Sequence, residues 1–205
     1  MNLRLALPLE SLDESLTLLA AAGLGAPVGA PTPPPRLVDG TIVAAVPSAD
    51  VAVLVAAGGA DVGFAARDLL DESGADLCRL LDLGIGGGRL VFATLNGGRR
   101  AARRGRLRVA TCHPRAARAF AARRGLQVEV VALSRRPTAD VVARLADAVL
   151  LRVDEDESEP PPLGEAVEVA RCSQVLICTR ASWALQRAEI GRLAQRLRAV
   201  RGATA

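Results

Sequence analysis

Short apolar runs and helical stripes take turns along this chain. "LRLALP" (3–8) reads as a strand that stops at a proline. "SLDESLTLLAAAGL" (11–24) follows, with Leu12, Leu16, Leu18 and Leu19 on a largely helical stripe, Ser11 able to cap it and Gly23 closing it. "TIVAAVP" (41–47) is a second strand. "PSADVAVLVAAGGADVGF" then reads as cap, helix, Gly-Gly stop and buried strand, with Ser48 as the candidate N-cap. Residues 66–95 predict a short helix and then extended segments around a glycine cluster. The pattern restarts near position 106 with a strand "LRVAT" (107–111) and a helix "PRAARAFAARRG" whose Pro114 suits the first helical position. A strand "LQVEVVAL", a helix from about Thr138 to Leu145 and a strand "ADAVLL" come next. Two further strands, "AVEVAR" and "SQVLICTR", lead to the amphipathic "SWALQRAEIGRLAQRLRAV", expected to turn Trp183, Leu185, Ile190, Leu193 and Leu197 inward.

Strands alternating with helices predict an α/β protein with mostly parallel sheets and helices on both faces. The restart divides the 205 residues into two lobes: lobe I is 1–95 plus 173–205, lobe II is 106–172, and 96–105 forms an Arg-rich crossover. A cleft between two such lobes suits a small ligand.

Composition narrows the chemistry. All 26 basic residues are arginine, so a lysine Schiff base or lysine phosphate clamp is excluded. The single histidine, His113, excludes a His-based metal cluster. The net charge of +4 is unevenly spread, because "GGRRAARRGRLR" (97–108) holds six arginines and "RAARAFAARR" (115–124) four more. With three phenylalanines and one tryptophan, stacking platforms are scarce, so a solvated basic face is expected and nucleic acid is not an expected partner. The four cysteines form no CxxC pair and are expected to be reduced core residues. The apolar run of "MNLRLALPLES" is too short for a secretory leader, and "VAVLVAAGGADVGFAA" is broken by Gly58, Gly59 and Asp61, so a cytoplasmic protein without a membrane span is expected. Cys112 and His113 are adjacent and are not expected to face each other as a nucleophile and base. "GIGGGR" (84–89) lacks the spacing of a dinucleotide loop and reads as a flexible crossover.

Five acidic residues fill 154–159 apart from Ser158, and "PPP" (160–162) follows. This charge sits at the exit of a core strand, where α/β proteins commonly hold ligands. Its meaning depends on the pieces around it. "GGADVGFAARDLL" (58–70), "ESGADLCRLLDLGIGGGRLVFA" (72–93), "LRVATCHPRAARAFAARRGLQVEVVALS" (107–134) and "LADAV" (145–149) together resemble, in order and spacing, the ATP phosphoribosyltransferases. The resemblance implies a two-lobed fold of the periplasmic-binding-protein type (type II) with a central cleft. It also implies transfer of a phosphoribosyl group from phosphoribosyl pyrophosphate to N1 of ATP, with magnesium and loss of pyrophosphate, as the first step of histidine biosynthesis. The length is similar to the short form, which works with a regulatory subunit resembling histidyl-tRNA synthetase, and a homo-oligomer is expected.

The same resemblance points to substrate-binding positions. The family's nucleotide-lining "LPKGRL" stands here as "LPLESL", with Leu9 for lysine, Glu10 for glycine and Ser11 for arginine. "GFAARDLL" keeps Asp68, with Arg67 in place of lysine; "LDLGIGGGRL" keeps Asp82, Gly84, Gly86 and Arg89; "TCHP" keeps Thr111 and Pro114. The "TGxTL" turn that holds the ribose 5-phosphate falls on 155–159, where only Ser158 retains a hydroxyl and no glycine remains. At ~5 Å and an effective dielectric of ~20, each carboxylate there repels each unit of phosphate charge by roughly 3 kcal/mol before screening. Asp154 and Glu155 are candidates for ribose hydroxyls or a magnesium ion. The reaction depends on positioning rather than a covalent nucleophile, so no catalytic residue is assigned. Two readings result: an active ATP phosphoribosyltransferase, or a catalytically impaired paralogue acting as a nucleotide-binding or regulatory and assembly subunit.

Overall fold

The computed structural model describes residues 3–24, 36–38, 41–94, 106–137, 146–155, 157 and 165–203. In chain order the elements are β1 (Arg4–Pro8), a 3-10 turn (Leu9–Ser11), α1 (Leu12–Ala21), β2 (Arg36–Val38), β3 (Thr41–Val46), α2 (Ser48–Ala56), β4 (Val62–Ala66), α3 (Arg67–Ser73), β5 (Cys78–Asp82) and β6 (Gly88–Thr94). They continue with β7 (Leu107–Thr111), α4 (Pro114–Arg124), β8 (Val128–Ala132), β9 (Ala148–Asp154), β10 (Ala166–Cys172), β11 (Gln174–Cys178), α5 (Arg180–Leu185) and α6 (Arg187–Ala203). The chain forms two compact units, Met1–Gly86 with Ser173–Ala205, and Gly87–Cys172.

The first unit is built on a sheet of order β2-β3-β1-β4-β11-β5. Alternation along β1 divides its core. Leu5 and Leu7 face a cluster with Leu12, Leu18 and Leu19 of α1 and Ile190, Leu193 and Leu197 of α6. Ala6 faces the other side, with Val51, Ala52 and Val55 of α2 and Leu70 of α3. The central strand β4 is buried at every residue, as expected for a strand covered on both faces. Gly63 lets α2 approach it closely, since a Cβ there would lie 2.8 Å from Val51 and 2.9 Å from Val55.

The second unit has a sheet of order β10-β6-β9-β7-β8. Phe92, Val109 and Leu150 pack with Phe120 of α4 on one face, the two phenyl rings 4.8 Å apart between centroids. Val91, Ala110, Leu151 and Val153 cluster separately from them. The helix expected over 138–145 and most of the Arg-rich crossover lie outside the described residues.

Two α/β sheet units were expected, but the pairing is mixed. β1 pairs in parallel with β3 and β4, and β7 with β8 and β9, whereas β2, β5, β6, β10 and β11 pair antiparallel. The chain passes between units at Gly86–Gly87, before β6 instead of after it. β6 belongs to the second sheet because its seven residues pair with β9 and its Phe92 packs on Phe120. The closing helix is also two helices. The backbone breaks at Gln186 (φ −126°), which rephases the stripe and leaves Leu185 84% exposed, while Ile190, Leu193 and Leu197 stay buried. Among the described residues no helix is long and apolar enough to cross a membrane.

Candidate functional site

In the first unit, β1 ends at Pro8 and a single 3-10 turn delivers Glu10 and Ser11. Ser48 does not cap α2; it is the first helical residue, with Pro47 before it. The Glu10 carboxylate accepts from the Ser48 amide at 2.8 Å and from its hydroxyl, so a side chain from the preceding turn satisfies the open helix end. Burial pushes the Glu10 carboxyl up, but the bonds from Ser48 outweigh it and hold the group below the ordinary carboxylate range. Ser11 precedes α1 without a side-chain cap bond. Its hydroxyl instead accepts from the Gln174 side-chain amide. Ser15 is fully buried, donates to the Ser11 carbonyl at 2.9 Å and lies 3.4 Å from Gln174 Oε1. Gly86 closes this network. Its amide donates to Glu14 at 2.7 Å, its φ is +60°, and a Cβ there would meet Gln174 at 2.8 Å.

Arg67 and Asp68 open α3. The Arg67 side chain is exposed while its amide donates to the Ser173 carbonyl at 2.9 Å, and Asp68 is buried. Asp82 organises the glycine turn by accepting from Gly84 N at 3.0 Å and Ser173 Oγ at 2.9 Å.

In the second unit, the ends of β9 and β6 and the edge strand β10 surround a cavity of about 270 Å³. Arg89, Arg171, Asp154, Glu155, Glu157 and Glu168 line it, four carboxylates against two guanidiniums. Asp154 accepts from Arg152 Nε at 2.7 Å. The Glu155 amide donates to the Gly87 carbonyl at 3.2 Å, and its carboxylate lies where a Cβ on residue 87 would stand. Glu157 Oε1 pairs with Arg136 at 2.8 Å, which holds the carboxyl below its ordinary range, while Oε2 is buried without a partner among the described residues. Thr111 is fully buried at the end of β7, where its hydroxyl accepts from the His113 amide at 2.8 Å; it is not part of the cavity wall. Contrary to expectation, Cys112 and His113 do face each other, Sγ to Nδ1 at 3.3 Å. The residue preceding α4 is non-helical (φ −121°, ψ 64°), and the resulting turn allows the adjacent side chains to meet.

Of the positions singled out in the sequence, Arg89, Asp154 and Glu155 thus share one cavity, while Ser11, Arg67 and Asp68 sit in the first unit. Ser158 lies outside the described residues, as do Asp156 and 159–164. Sequence reasoning did not find Glu168, Arg171, Arg136 or Gln174. Their only local signal is a polar or charged residue on a short strand or loop; the role of Glu168 and Arg171 follows from the pairing of β10 with β6, and that of Arg136 and Gln174 from side-chain contacts distant in sequence.

Residues 47–199 match the family profile of ATP phosphoribosyltransferase. The chain belongs to the ATP phosphoribosyltransferase family. A member from Pseudomonas putida (strain KT2440) is 34% identical over 200 residues, covering 92% of this chain and 91% of that protein. In fold, the chain is similar to the ATP phosphoribosyl transferase (HisG:HisZ) complex from Thermotoga maritima, with a TM-score of 0.76 at 20% identity over 97% of this chain and 98% of that one. The alkanesulfonate-binding protein SsuA from Xanthomonas axonopodis pv. citri also shares the fold, with a TM-score of 0.51 at 15% identity over 98% and 73% of the two chains. The architecture is therefore that of the ATP phosphoribosyltransferases and of periplasmic-binding-protein-like proteins, and the family is one of histidine biosynthesis.

Proposed function

We propose that this chain is a catalytically impaired member of the ATP phosphoribosyltransferase family, one that serves as a nucleotide-binding or assembly subunit and has lost phosphoribosyl transfer. The observation that carries this reading is the cavity at the end of β9, where four carboxylates face two guanidiniums and Glu157 is kept ionised beside Arg136. A sugar phosphate entering it meets a repulsion of roughly 3 kcal/mol per charge pair at ~5 Å before screening, in a reaction that relies on cradling charge. The first unit supports the same reading. Glu10 already bonds to the α2 terminus, and Ser11 is held by Gln174.

Transfer itself is the second reading, favoured by Arg89 and Arg171 in the same cavity and by the 34% identity to a named ATP phosphoribosyltransferase. ATP and phosphoribosyl pyrophosphate are then the substrates, with Ser11, Arg67, Asp68, Arg89, Thr111, Asp154, Glu155 and Ser158 as the binding positions. Magnesium binds through one or two carboxylates plus substrate phosphates. Among the described residues no three His, Cys, Asp or Glu side chains form a cation site, and Asp154 and Glu157 are each held by an arginine. That set fits the ion poorly, so no step is assigned to it. In either reading the chain is cytoplasmic, forms a homo-oligomer and has a histidyl-tRNA-synthetase-like subunit as its candidate partner. The Thermotoga maritima neighbour in a HisG:HisZ complex is consistent with such an assembly.

Pyrophosphate release from ATP and phosphoribosyl pyrophosphate, assayed with the purified chain alone and with that regulatory subunit, tests the proposal. No product is expected in either mixture. Turnover in one of them establishes the second reading instead.

A further inference from the structure

β5 and β11 pair antiparallel with a slip in register between Leu176 and Ile177. Leu176 opposes Leu81 and Ile177 opposes Arg79, so Leu80 is the extra residue of a bulge. In an unbroken register Cys178 would oppose Arg79. With the slip it stands directly opposite Cys78. Opposed residues of an antiparallel pair share one face, with Cα atoms about 4.5 or 5.5 Å apart, and both separations lie within the range a disulfide spans. Both thiols are free. Cys178 is fully buried in the apolar cluster of the first unit, whereas Cys78 is half-buried on the edge strand of that sheet.

We propose that Cys78 and Cys178 form a dithiol modification site that exchanges with low-molecular-weight disulfides to close a cross-strand disulfide. The Cys78 thiolate attacks one sulfur of the small disulfide, forming a mixed disulfide and releasing one small thiol. Cys178 then attacks the Cys78 sulfur, forming the Cys78–Cys178 bond and expelling the second small thiol. Both protein protons end on the released thiols; the protein loses two electrons and the small disulfide gains them. Burial, with the Cys78 charge and hydrogen bond adding to it, pushes the Cys178 thiol up to about 11, so the more exposed Cys78 is the point of entry and Cys178 the resolving thiol. The other cysteines lack this arrangement: Cys172 opposes Gly88 across its sheet, and Cys112 lies beyond the end of β7. The site is independent of phosphoribosyl chemistry.

Incubating the full chain with oxidised glutathione and mapping unreduced peptides by mass spectrometry tests it. The expected product joins the Cys78 and Cys178 peptides, lighter by two hydrogen atoms, as the predominant protein disulfide. Cys178→Ala should convert this product into a stable glutathione adduct on Cys78, and Cys78→Ser should leave Cys178 unmodified. The Cys78→Ser change is at the less buried position, and the emission of the sole tryptophan, Trp183, checks that each variant is folded. Wild type that stops at a Cys78 adduct, that leaves both thiols unreacted, or that links mainly through Cys112 or Cys172 overturns the proposal.

Discussion

The two polar regions of this molecule solve the same electrostatic problem in opposite ways. In the turn after β1, each polar group meets a partner from its own unit: Glu10 meets Ser48, Ser11 meets Gln174, and Glu14 meets Gly86. At the end of β9, the cavity wall carries four carboxylates to two guanidiniums. Arg152 and Arg136 pair with Asp154 and Glu157 from beyond the wall, and one oxygen of Glu157 is buried without a partner among the described residues. A satisfied network stabilises the fold and leaves little for a ligand to bind. An incompletely satisfied one retains binding potential, in the proposed reading for hydroxyls more than for phosphate. Charge sign, more than cavity shape, is therefore what the proposed loss of phosphoribosyl transfer rests on.

That comparison can be broken most directly in the cavity. Neutralising Glu155 and Glu157 together (Glu155→Gln, Glu157→Gln) should raise affinity for phosphoribosyl pyrophosphate about a hundredfold by calorimetry, taking each screened charge as about 1.4 kcal/mol. No gain there would mean that charge is not what closes the site. In the first unit, Gln174→Leu removes the partner of Ser11 and a neighbour of buried Ser15, and should lower stability in urea by about 2 kcal/mol. An unchanged midpoint would show that the network contributes little.

Smaller effects sharpen the contrast. Glu10→Gln should cost about 1 kcal/mol through the weakened bond at the α2 terminus. Its pH profile carries a sign. The folded Glu10 carboxyl lies below its ordinary value of 4.5, so its contribution is full above that pH and fades as pH falls through the folded value. The parent should therefore lose more stability on acidification than Glu10→Gln, as measured by thermal melts from neutral to acid pH. Glu157→Gln alone breaks a partly exposed pair with Arg136 and should shift stability by less than about 1 kcal/mol. A larger loss would mark the pair as structural and not as part of an open cavity.

Much of the fold was legible in the sequence. The apolar runs at 3–8, 62–66, 107–111 and 174–178 became strands, and Pro114 began α4, because strand and helix periods are local properties. The closing helix failed locally only where Gln186 interrupts it and Leu185 turns outward. The site was legible in part. Asp154, Glu155 and Arg89 were marked by the resemblance and do share a cavity, but Glu168 and Arg171 joined them only through the pairing of β10 with β6. Glu10 was read as a lost glycine, and its bond to Ser48, thirty-eight positions away, has no local signature.

By itself, the sequence determined the α/β periodicity, the all-arginine charge, the acidic stretch after β9 and the family. The tertiary structure alone decided that β6 belongs to the second unit, that Leu80 bulges and sets Cys78 against Cys178, and that Glu10 meets Ser48. The physical reason is range. Helix and strand periods are fixed by neighbours a few residues apart, whereas strand partners and register are fixed by which distant faces bury each other, and a slip of one residue turns a side chain to the opposite face.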